Sequence, residues 1–525
     1  MPPESQNAVT TFLTDALSDE GPVETVSTHI SNLFLARDRV FKVKRAVRFP
    51  YLDFSTPRRR LAACAEEVAL NSRTAPALYL GARRITREPN GSLTFDGAGD
   101  LVDAVVEMRR FPEADLFDAM ARDGRLGPDH IADLAHRIAV FHEGAEVSRD
   151  HGGAAAMAAL LDMNDAALRT STLVSAGEAE ALAARFRAAL GRHGRLLDAR
   201  RAAGKVRRCH GDLTLRNICL FEGKATPFDC IEFSETIATI DVLYDLAFVL
   251  MDLWHRARFD LANLLFNRYL DVADETDGIG LLPFLMAVRA AIRAHVTATQ
   301  AADAADVTAA ARIAEAHAYF DLAGRLLADR PVRLLAVGGF SGSGKSSVAA
   351  VAAPWIGAAP GARILASDRI RKRLHGVGAL TRLPASAYDP ATSERVYATL
   401  RQEAGRALSA GHCAVADAVF DRPEERTAIE AIARERGIPF CGVWLEAPAA
   451  TLAGRVDRRV DDPSDATAAV SAAQVARGCG PLAWHRLAAD RPLDALRASV
   501  LSLCGSLGAT ETLAAPSIGA GPPFP

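Results

Sequence analysis

The chain has 525 residues, of which 49% are hydrophobic and 24% charged, and its formal net charge is −3. This length exceeds a single compact core and predicts two or three domains of ordinary globular composition. The small net charge excludes a basic field for nucleic acid along the whole chain. Eight scattered cysteines without a CxxC pair indicate neither a zinc site nor a disulfide framework. The sequence opens with no secretion signal, and its uncharged apolar stretches are shorter than a membrane span, so we expect a cytoplasmic protein.

Strand patterns come first in the chain, between residues ~25 and 110, around one helical segment, PRRRLAACAEEVALNSRTA. Helical patterns then dominate residues ~111–325, interrupted by the strand-like stretch ICLFEGKATPFDCIEF at 218–233. A strand-rich small lobe followed by a helix-rich large lobe is the order of a bilobal kinase-like fold. We therefore predict an α+β domain of this kind over residues 1–325.

A different pattern begins at 329–340, where a proline precedes a strand of the buried type. Strands then alternate with helices as far as residue 505, which predicts an α/β domain over 326–505 with a parallel sheet between helices. The last stretch, 506–525, is rich in glycine and proline and has one charged residue, so we predict that it is disordered.

The segment CHGDLTLRNICL at 209–220 carries the residue types of a phosphoryl-transfer loop. Such transfer needs a carboxylate that accepts the hydroxyl proton, and an acid and an amide that hold Mg²⁺. Asp212 fits the first role, and Asn217 and Asp229 fit the second as metal ligands. The apolar residues between Asn217 and Asp229 predict a hairpin that would bring these two together. Asp241 and Asp245, further on, would brace the loop by accepting hydrogen bonds from backbone N–H groups.

The glycine-rich stretch GGFSGSGKSS at 338–347 follows a predicted strand and precedes a predicted helix, as a phosphate-binding P-loop does. Backbone N–H groups of such a loop and the helix N-terminus bind phosphate. Lys345 would bridge the β- and γ-phosphates of ATP, and Ser346 would hold Mg²⁺. The predicted phosphate-binding residues are Gly339, Phe340, Ser341, Gly342, Ser343, Gly344, Lys345, Ser346 and Ser347.

Charged residues follow the P-loop at the ends of predicted strands and on a predicted helix. Asp368 and Asp417 each end a strand on the phosphate side of the sheet, where Asp417 would bind Mg²⁺ or its water. Arg455 and Arg459 could close over the phosphates as a lid does.

In this order, residues 331–480 resemble the small P-loop kinases that include polynucleotide kinase, gluconate kinase and adenylylsulfate kinase, within a wider group with AAA domains and zeta toxins. The resemblance implies that Asp368 acts as the base toward an acceptor hydroxyl and that Arg371, in SDRIRKR, contacts phosphate. Asp212, Asp368 and Lys345 are therefore the candidate catalytic residues.

The amino-terminal motifs HGDxxxxN, a later Asp and YDLA resemble the aminoglycoside phosphotransferase and choline kinase group. The spellings FDCIEF and DFSTPRRRL resemble a bacterial family in which such a domain is fused to a P-loop kinase domain. This resemblance implies a phosphate-binding lysine in VFKVK, where Lys42 and Lys44 share one face of a strand and Lys44 aligns better. The partner of this lysine would be Glu67 or Glu66.

Two functions follow from these patterns. In the first, an ATP- and Mg²⁺-dependent phosphotransferase has two kinase-type domains, and the P-loop domain phosphorylates a hydroxyl of a small molecule or a polynucleotide. In the second, the amino-terminal domain is a pseudokinase-like sensor, since SNLFLARDRV has no glycine to cover phosphates, and the P-loop domain is an ATPase switch. Nucleic acid would enter only as a substrate end, and membranes not at all. Aminoglycoside resistance is a weaker third reading, because we locate no acidic pocket for a cationic drug.

Overall fold

The computed structural model describes residues 3–18, 21–49, 52–302 and 306–505, and the predicted disordered tail at 506–525 lies outside them. The described contacts divide the chain into two compact units. The amino-terminal unit comprises Met1–Ala156 and Gly194–Val249, and the carboxy-terminal unit comprises Met157–His193 and Leu250–Pro525. The units thus divide the chain elsewhere than at the domain boundary expected near residue 325, which stays a prediction.

A six-stranded antiparallel sheet forms the first part of the amino-terminal unit, with the strand order β1-β2-β3-β8-β6-β7. The predicted hairpin is β2–β3, in which Phe34 pairs with Phe41. The first helix was not predicted; its Val9, Leu13 and Leu17, four residues apart, join the core with Phe34 and Phe41. In chain order the elements are α1 (Pro3–Ser18), β1 (Glu24–Ser27), β2 (Ser31–Leu35), β3 (Arg39–Lys44), β4 (Arg48–Phe49), β5 (Leu52–Asp53), α2 (Pro57–Asn71), β6 (Tyr79–Arg87), β7 (Leu93–Phe95) and β8 (Asp100–Arg109).

Helices dominate the chain from residue 117 onward, as the sequence predicts, and two short antiparallel ribbons interrupt them. The strand-rich part followed by this helical part confirms the kinase-like fold predicted for this half. The division between the two units passes through α5, α6 and α8. The elements are α3 (Phe117–Arg122), α4 (Pro128–Gly144), α5 (Gly153–Thr170), α6 (Ala176–Ala202), β9 (Val206–Arg208), β10 (Ile218–Phe221), β11 (Lys224–Pro227), α7 (Glu235–Ala238), β12 (Thr239–Asp241) and α8 (Val242–His255).

Three further helices of the carboxy-terminal unit precede its sheet, namely α9 (Phe259–Leu270), α10 (Leu282–Ala302) and α11 (Asp306–Leu326). In the described part of the chain, Thr276–Ala302 is the one helical stretch long and apolar enough to cross a membrane by length and composition. Its apolar window is 67% buried within the fold, as a core helix would be.

A five-stranded parallel sheet lies at the centre of the remaining residues, in the order β14-β15-β13-β16-β17. This order confirms the predicted α/β fold, and it leaves β14 and β17 as edge strands. The central strand, β13, is buried along its whole length. The elements are β13 (Leu334–Gly338), α12 (Lys345–Ala352), β14 (Arg363–Ala366), α13 (Ser367–Leu374), α14 (Pro390–Ser409), β15 (Ala414–Asp417), α15 (Pro423–Arg434), β16 (Phe440–Glu446), α16 (Ala449–Asp457), α17 (Ala468–Arg477), β17 (His485–Ala488) and α18 (Leu493–Leu503).

A buried ion pair joins α2 to the sheet of the amino-terminal unit. Arg60 donates from Nε to Asp103 Oδ1 at 2.6 Å and from its terminal nitrogens to the carbonyls of Phe54 and Val102. The side chains of both Arg60 and Asp103 are almost wholly buried. Removing one partner of such a pair leaves an uncompensated buried charge.

We expect Arg60→Met to lower the opening free energy of α2 and β8 by about 3 kcal/mol, since Asp103 would stay buried without a counter-charge. Amide hydrogen exchange resolved along 57–71 and 100–109 measures this loss. Arg58→Met, at an exposed position of the same helix, is the control and should change exchange by no more than about 0.5 kcal/mol. Equal effects of the two substitutions would contradict the assignment.

Candidate functional site

The predicted phosphoryl-transfer loop follows β9, and hydrogen bonds to Asp245 hold its backbone in place. The Asp245 carboxylate accepts hydrogen bonds from the backbone N–H groups of His210 and Gly211, at 3.1 and 2.8 Å. Asn217 donates from Nδ2 both to Asp212 Oδ2, at 2.8 Å, and to the Asp212 carbonyl, at 2.9 Å. The structure therefore brings the predicted base and the predicted amide ligand into direct contact.

The hairpin β10–β11 brings Asp229 to the same place. Ile218, which follows Asn217, pairs with Pro227, and the Phe228 N–H donates to the Asn217 carbonyl at 2.9 Å. His210 Nε2 lies 2.9 Å from the Phe228 carbonyl oxygen. The hairpin forms as the sequence predicted, so that its two ends carry the two predicted metal ligands.

Two lysines on one face of β3 form a buried ionic chain with the loop. Lys42 Nζ lies 2.8 Å from Glu67 Oε1 and 2.6 Å from Asp229 Oδ1. Lys44 Nζ lies 2.5 Å from Glu67 Oε2 and also pairs with Glu232. Glu67, on α2, thus binds both lysines.

These contacts favour Lys42 over Lys44 as the phosphate-binding lysine, a role that stays a prediction for either residue. The lysine that contacts the predicted metal ligand Asp229 is Lys42, whereas Lys44 is fully buried one step further along the strand. Alternate residues of a strand share a face, so that spacing alone cannot tell the two apart. Of the two candidate glutamates, Glu67 is the partner, and Glu66 is exposed.

The charges of this ionic chain support one another. Burial opposes a charge on Lys42, but the carboxylates of Asp229 and Glu67 outweigh it and raise the pKa of the lysine well above its ordinary value. Burial also opposes ionisation of Asp229, yet Lys42 holds the pKa of this carboxyl below its usual range. Asp229 is therefore a carboxylate at neutral pH and has the charge that a Mg²⁺ ligand needs.

In the carboxy-terminal unit, the P-loop connects β13 to α12 as the sequence predicts. Gly342 and Gly344 adopt φ values of 89° and 87°, which favour glycine. A Cβ atom on Gly342 would also lie 2.3 Å from the Leu452 carbonyl oxygen, at the beginning of the predicted lid. Lys345 Nζ donates to the Phe340 carbonyl at 3.3 Å, so that its ammonium lies over the loop.

The predicted carboxylates lie at the carboxyl ends of the strands beside the P-loop. Asp417 is the last residue of β15 and is in register with Val337 of β13, and Asp368 lies in the first turn of α13. Burial raises the pKa of Asp417 to about 6, against the charge of Lys345 and a hydrogen bond from Ser346. Burial raises the pKa of Asp368 as well. Burial lowers the pKa of Lys345, which faces both carboxylates.

Of the three predicted arginines, Arg455 and Arg459 lie beside the P-loop, and Arg371 acts on Asp368 while its guanidinium is bound by the loop after α13. Arg459 acts electrostatically on Lys345 and Asp368, and one terminal nitrogen of Arg455 lies 4.0 Å from the place of a Cβ on Gly344. The guanidinium of Arg371 donates to the Ala387 carbonyl at 2.7 Å and covers the ring of Tyr388. Arg371 therefore holds the loop after α13, which gives it a structural contact that the sequence did not predict.

Helix α17 binds the P-loop through two side chains that sequence reasoning missed. Gln474 Oε1 accepts from the Ser341 N–H at 2.8 Å, and Ser471 Oγ donates to the Ser341 carbonyl at 2.9 Å. Both backbone groups of Ser341 are thus bound by one helix. A second missed contact is the hydrogen bond between the Ser464 side chain and Asp368. No local sequence pattern indicates these contacts, because the two partners of each contact lie about a hundred positions or more apart in the chain.

Comparison with known proteins agrees with a P-loop domain in the carboxy-terminal part. Residues 334–479 match the family model described as an AAA domain. Over 487 residues, the chain is 28% identical to uncharacterized proteins of Mycobacterium bovis and Mycobacterium tuberculosis, which covers 91% of this chain and 94% of theirs. The family match supports the P-loop domain that the sequence predicts after the amino-terminal part.

Two solved structures each resemble a part of the chain. A choline/ethanolamine kinase family protein from Mesorhizobium loti is 17% identical, covers 62% of this chain and 98% of its own, and has a TM-score of 0.38. A gluconokinase from Sinorhizobium meliloti 1021 is 21% identical, covers 35% of this chain and 95% of its own, and has a TM-score of 0.24.

Substitutions of the two lysines of β3 should have different effects, Lys42→Met on ATP binding and Lys44→Met on stability. In a Lys345→Ala background, which disables the P-loop, Lys42→Met should weaken Mg·ATP binding at least about tenfold by calorimetry, because Lys42 lies beside Asp229. Lys44→Met should instead cost about 3 kcal/mol of stability, since two buried glutamates would lose a counter-charge. A greater loss of affinity from Lys44→Met in folded protein would reverse the assignment.

Asp417 should impose a pH dependence on the P-loop. Its pKa of about 6 lies above the ordinary value, so that the carboxylate form, which would bind Mg²⁺, is present above pH about 6 and is lost as the pH falls through this value. We expect kcat/KM for Mg·ATP to fall below pH about 6, because this ratio follows the free enzyme. Asp417→Asn should have a low kcat/KM that no longer falls below pH about 6. If the fall stays unchanged in this variant, another group is responsible for it.

Proposed function

We propose that the carboxy-terminal unit is an ATP- and Mg²⁺-dependent kinase that phosphorylates the hydroxyl of a small molecule or of a polynucleotide end. The observation that supports this proposal best is the presence of two carboxylates that act on Lys345, those of the buried Asp417 and the partly buried Asp368. Nucleotide hydrolysis by a P-loop requires one such acid near the metal. The second acid suits an acceptor hydroxyl, which has a proton to lose.

The residues present fit Mg²⁺ and the phosphates of ATP. Ser346 and Asp417 offer adjacent hydroxyl and carboxylate oxygens, which are ligands that Mg²⁺ prefers. The loop from Gly339 to Ser346 offers backbone N–H groups and the N-terminus of α12 to the phosphates. Bound Mg²⁺ would neutralise charge on the transferring phosphoryl group.

Asp368 is proposed as the group that takes the acceptor proton. Its pKa is raised by burial, which makes the carboxylate a better base than an exposed aspartate. The acceptor oxygen would bond to the γ-phosphorus while the bond from this phosphorus to the bridging oxygen of ADP breaks, and the proton passes to Asp368. Arg459 and Lys345 lie where the charge of the transferring group would develop.

Asp212 and its neighbours support a second phosphotransferase site in the amino-terminal unit. Asp212, Asn217 and Asp229 are assembled, and Lys42 bridges Glu67 and Asp229. The alternative is a pseudokinase-like sensor with an ATPase switch in the other unit. It is favoured by the sequence of β2 and the following turn, which has no glycine to cover phosphates. Binding of Mg·ATP without transfer by this unit would favour the sensor.

Transfer from radiolabelled ATP to sugars, nucleosides, aminoglycosides and 5′-hydroxyl oligonucleotides tests both proposals on the full-length chain. Lys345→Ala should abolish labelling that belongs to the P-loop, since the phosphates lose their central cation. Asp212→Asn should abolish labelling that belongs to the amino-terminal unit. ATP turnover that survives Lys345→Ala and ends with Asp212→Asn would refute a P-loop kinase and leave the amino-terminal unit as the enzyme.

A further inference from the structure

Helix α9 covers the free edge of the P-loop sheet. Strand β14 is an edge strand, and its outward backbone groups have no strand partner on that side. Asn267 accepts from the Ile364 N–H at 2.7 Å and donates to the Ala362 carbonyl at 3.3 Å. Asn263, one turn earlier, donates to the Ala362 carbonyl at 3.0 Å. Two buried amides of α9 thus take the place of a neighbouring strand.

Asp271 continues this row just after α9 ends. It follows Asn267 by four positions, so that the three side chains lie along one face. Asp271 Oδ1 lies 2.9 Å from Arg363, the first residue of β14. Asp271 Oδ2 lies 3.3 Å from Arg369, the residue after Asp368 on α13. One carboxylate therefore holds both ends of the short segment that leads to Asp368.

Three arginines depend on the negative charge of Asp271. Arg268 also pairs with Asp271, at 3.0 Å, so that three guanidinium groups share one carboxylate. Burial opposes ionisation of Asp271, but Arg363 and the other two arginines hold its pKa below the ordinary value. Without the carboxylate, Arg363 would be a buried cation held by the carbonyl and side-chain oxygens of Asn267.

We propose that Asp271 is a positioning residue of the P-loop kinase, which sets the place of Asp368 through Arg363 and Arg369. The inference rests on the proposed role of Asp368 as the base. It assigns a part in the reaction to a residue that lies outside the segment 334–479 matched by the AAA domain model. The ion pairs of Asp271 are with Arg268, Arg363 and Arg369, none of which belongs to the P-loop, so that we expect phosphate binding to be little affected by its loss.

The test compares steady-state ATP-dependent transfer by Asp271→Asn, Asp271→Glu and Arg369→Gln in the full-length chain. We expect Asp271→Asn to lower kcat about tenfold and to change KM for Mg·ATP less than twofold, because Asp368 moves and the P-loop does not. Asp271→Glu, which keeps the charge, should restore part of kcat. The side chain of Arg369 is partly exposed, and Arg369→Gln leaves the Asp271–Arg363 ion pair in place. This variant should therefore fold even if Asp271→Asn does not.

Asp274→Asn is the matched control. Asp274 lies three residues further along and pairs with Arg406 of α14 at 2.8 Å, but it is 73% exposed. Its removal should leave kcat and KM unchanged, since exposed pairs contribute little. The proposal would be overturned if Arg369→Gln and Asp271→Asn both had the same kcat as the control Asp274→Asn. It would also be overturned if KM for Mg·ATP rose in proportion to the fall of kcat.

Hydrogen exchange separates this proposal from the proposed function. In Asp271→Asn, amides of 364–372 should exchange at least about tenfold faster, while amides of 334–349 stay as in the wild type. If the wild type shows no turnover that depends on Lys345, the kinase assignment has failed, whatever the exchange shows. If turnover depends on Lys345 but Asp271→Asn changes neither kcat nor exchange at 364–372, the role of Asp271 alone has failed.

Discussion

Each unit of this protein places lysine among carboxylates, and its candidate site depends on the resulting balance of charge. In the amino-terminal unit, two lysines face three carboxylates, those of Glu67, Asp229 and Glu232. At the P-loop, Lys345 and Arg459 act together with three carboxylates, those of Asp368, Asp417 and Asp462. Buried charges persist only when they are paired, and a surplus acid then favours a divalent cation. Both arrangements suit a phosphate that arrives with Mg²⁺, although the folds that build them are unrelated.

The parts of the sites that are local in sequence could be predicted from the sequence. A P-loop is a continuous stretch, and its glycines are required by backbone geometry at Gly342 and Gly344. The position of Asp417 could be predicted because neighbouring parallel strands end at the same edge of a sheet. The contact between Asp212 and Asn217 could be predicted because they lie only five residues apart in one loop. The short hairpin that returns Asp229 to Asn217 is local as well. In each case the contact follows from chain geometry within a few residues.

Other parts could not be predicted, because they depend on which elements meet. Lys42 and Lys44 differ only in their distance along β3, and the position of Asp229 decides between them. Arg371 acts on Asp368, and the loop at Ala387 and Tyr388 also binds its guanidinium, a contact that the sequence does not indicate; its contact with phosphate stays a prediction. Helix α1 was missed because its apolar residues become significant only against the sheet. The side chains of α17 on Ser341 likewise have no signal in the sequence.

The free edge of β14 explains why the carboxy-terminal unit begins well before its sheet. An exposed strand edge has unpaired N–H and C=O groups that invite pairing with another chain. A further strand would have closed this edge at the cost of a new edge beyond it. The amide side chains of Asn263 and Asn267 close it from a helix, which has no free edge of its own. Because Asp271 directly follows the same helix, the contact that protects the strand continues to the helical turn that carries Asp368. Protection of the sheet and placement of the proposed base are in this way consequences of one contact.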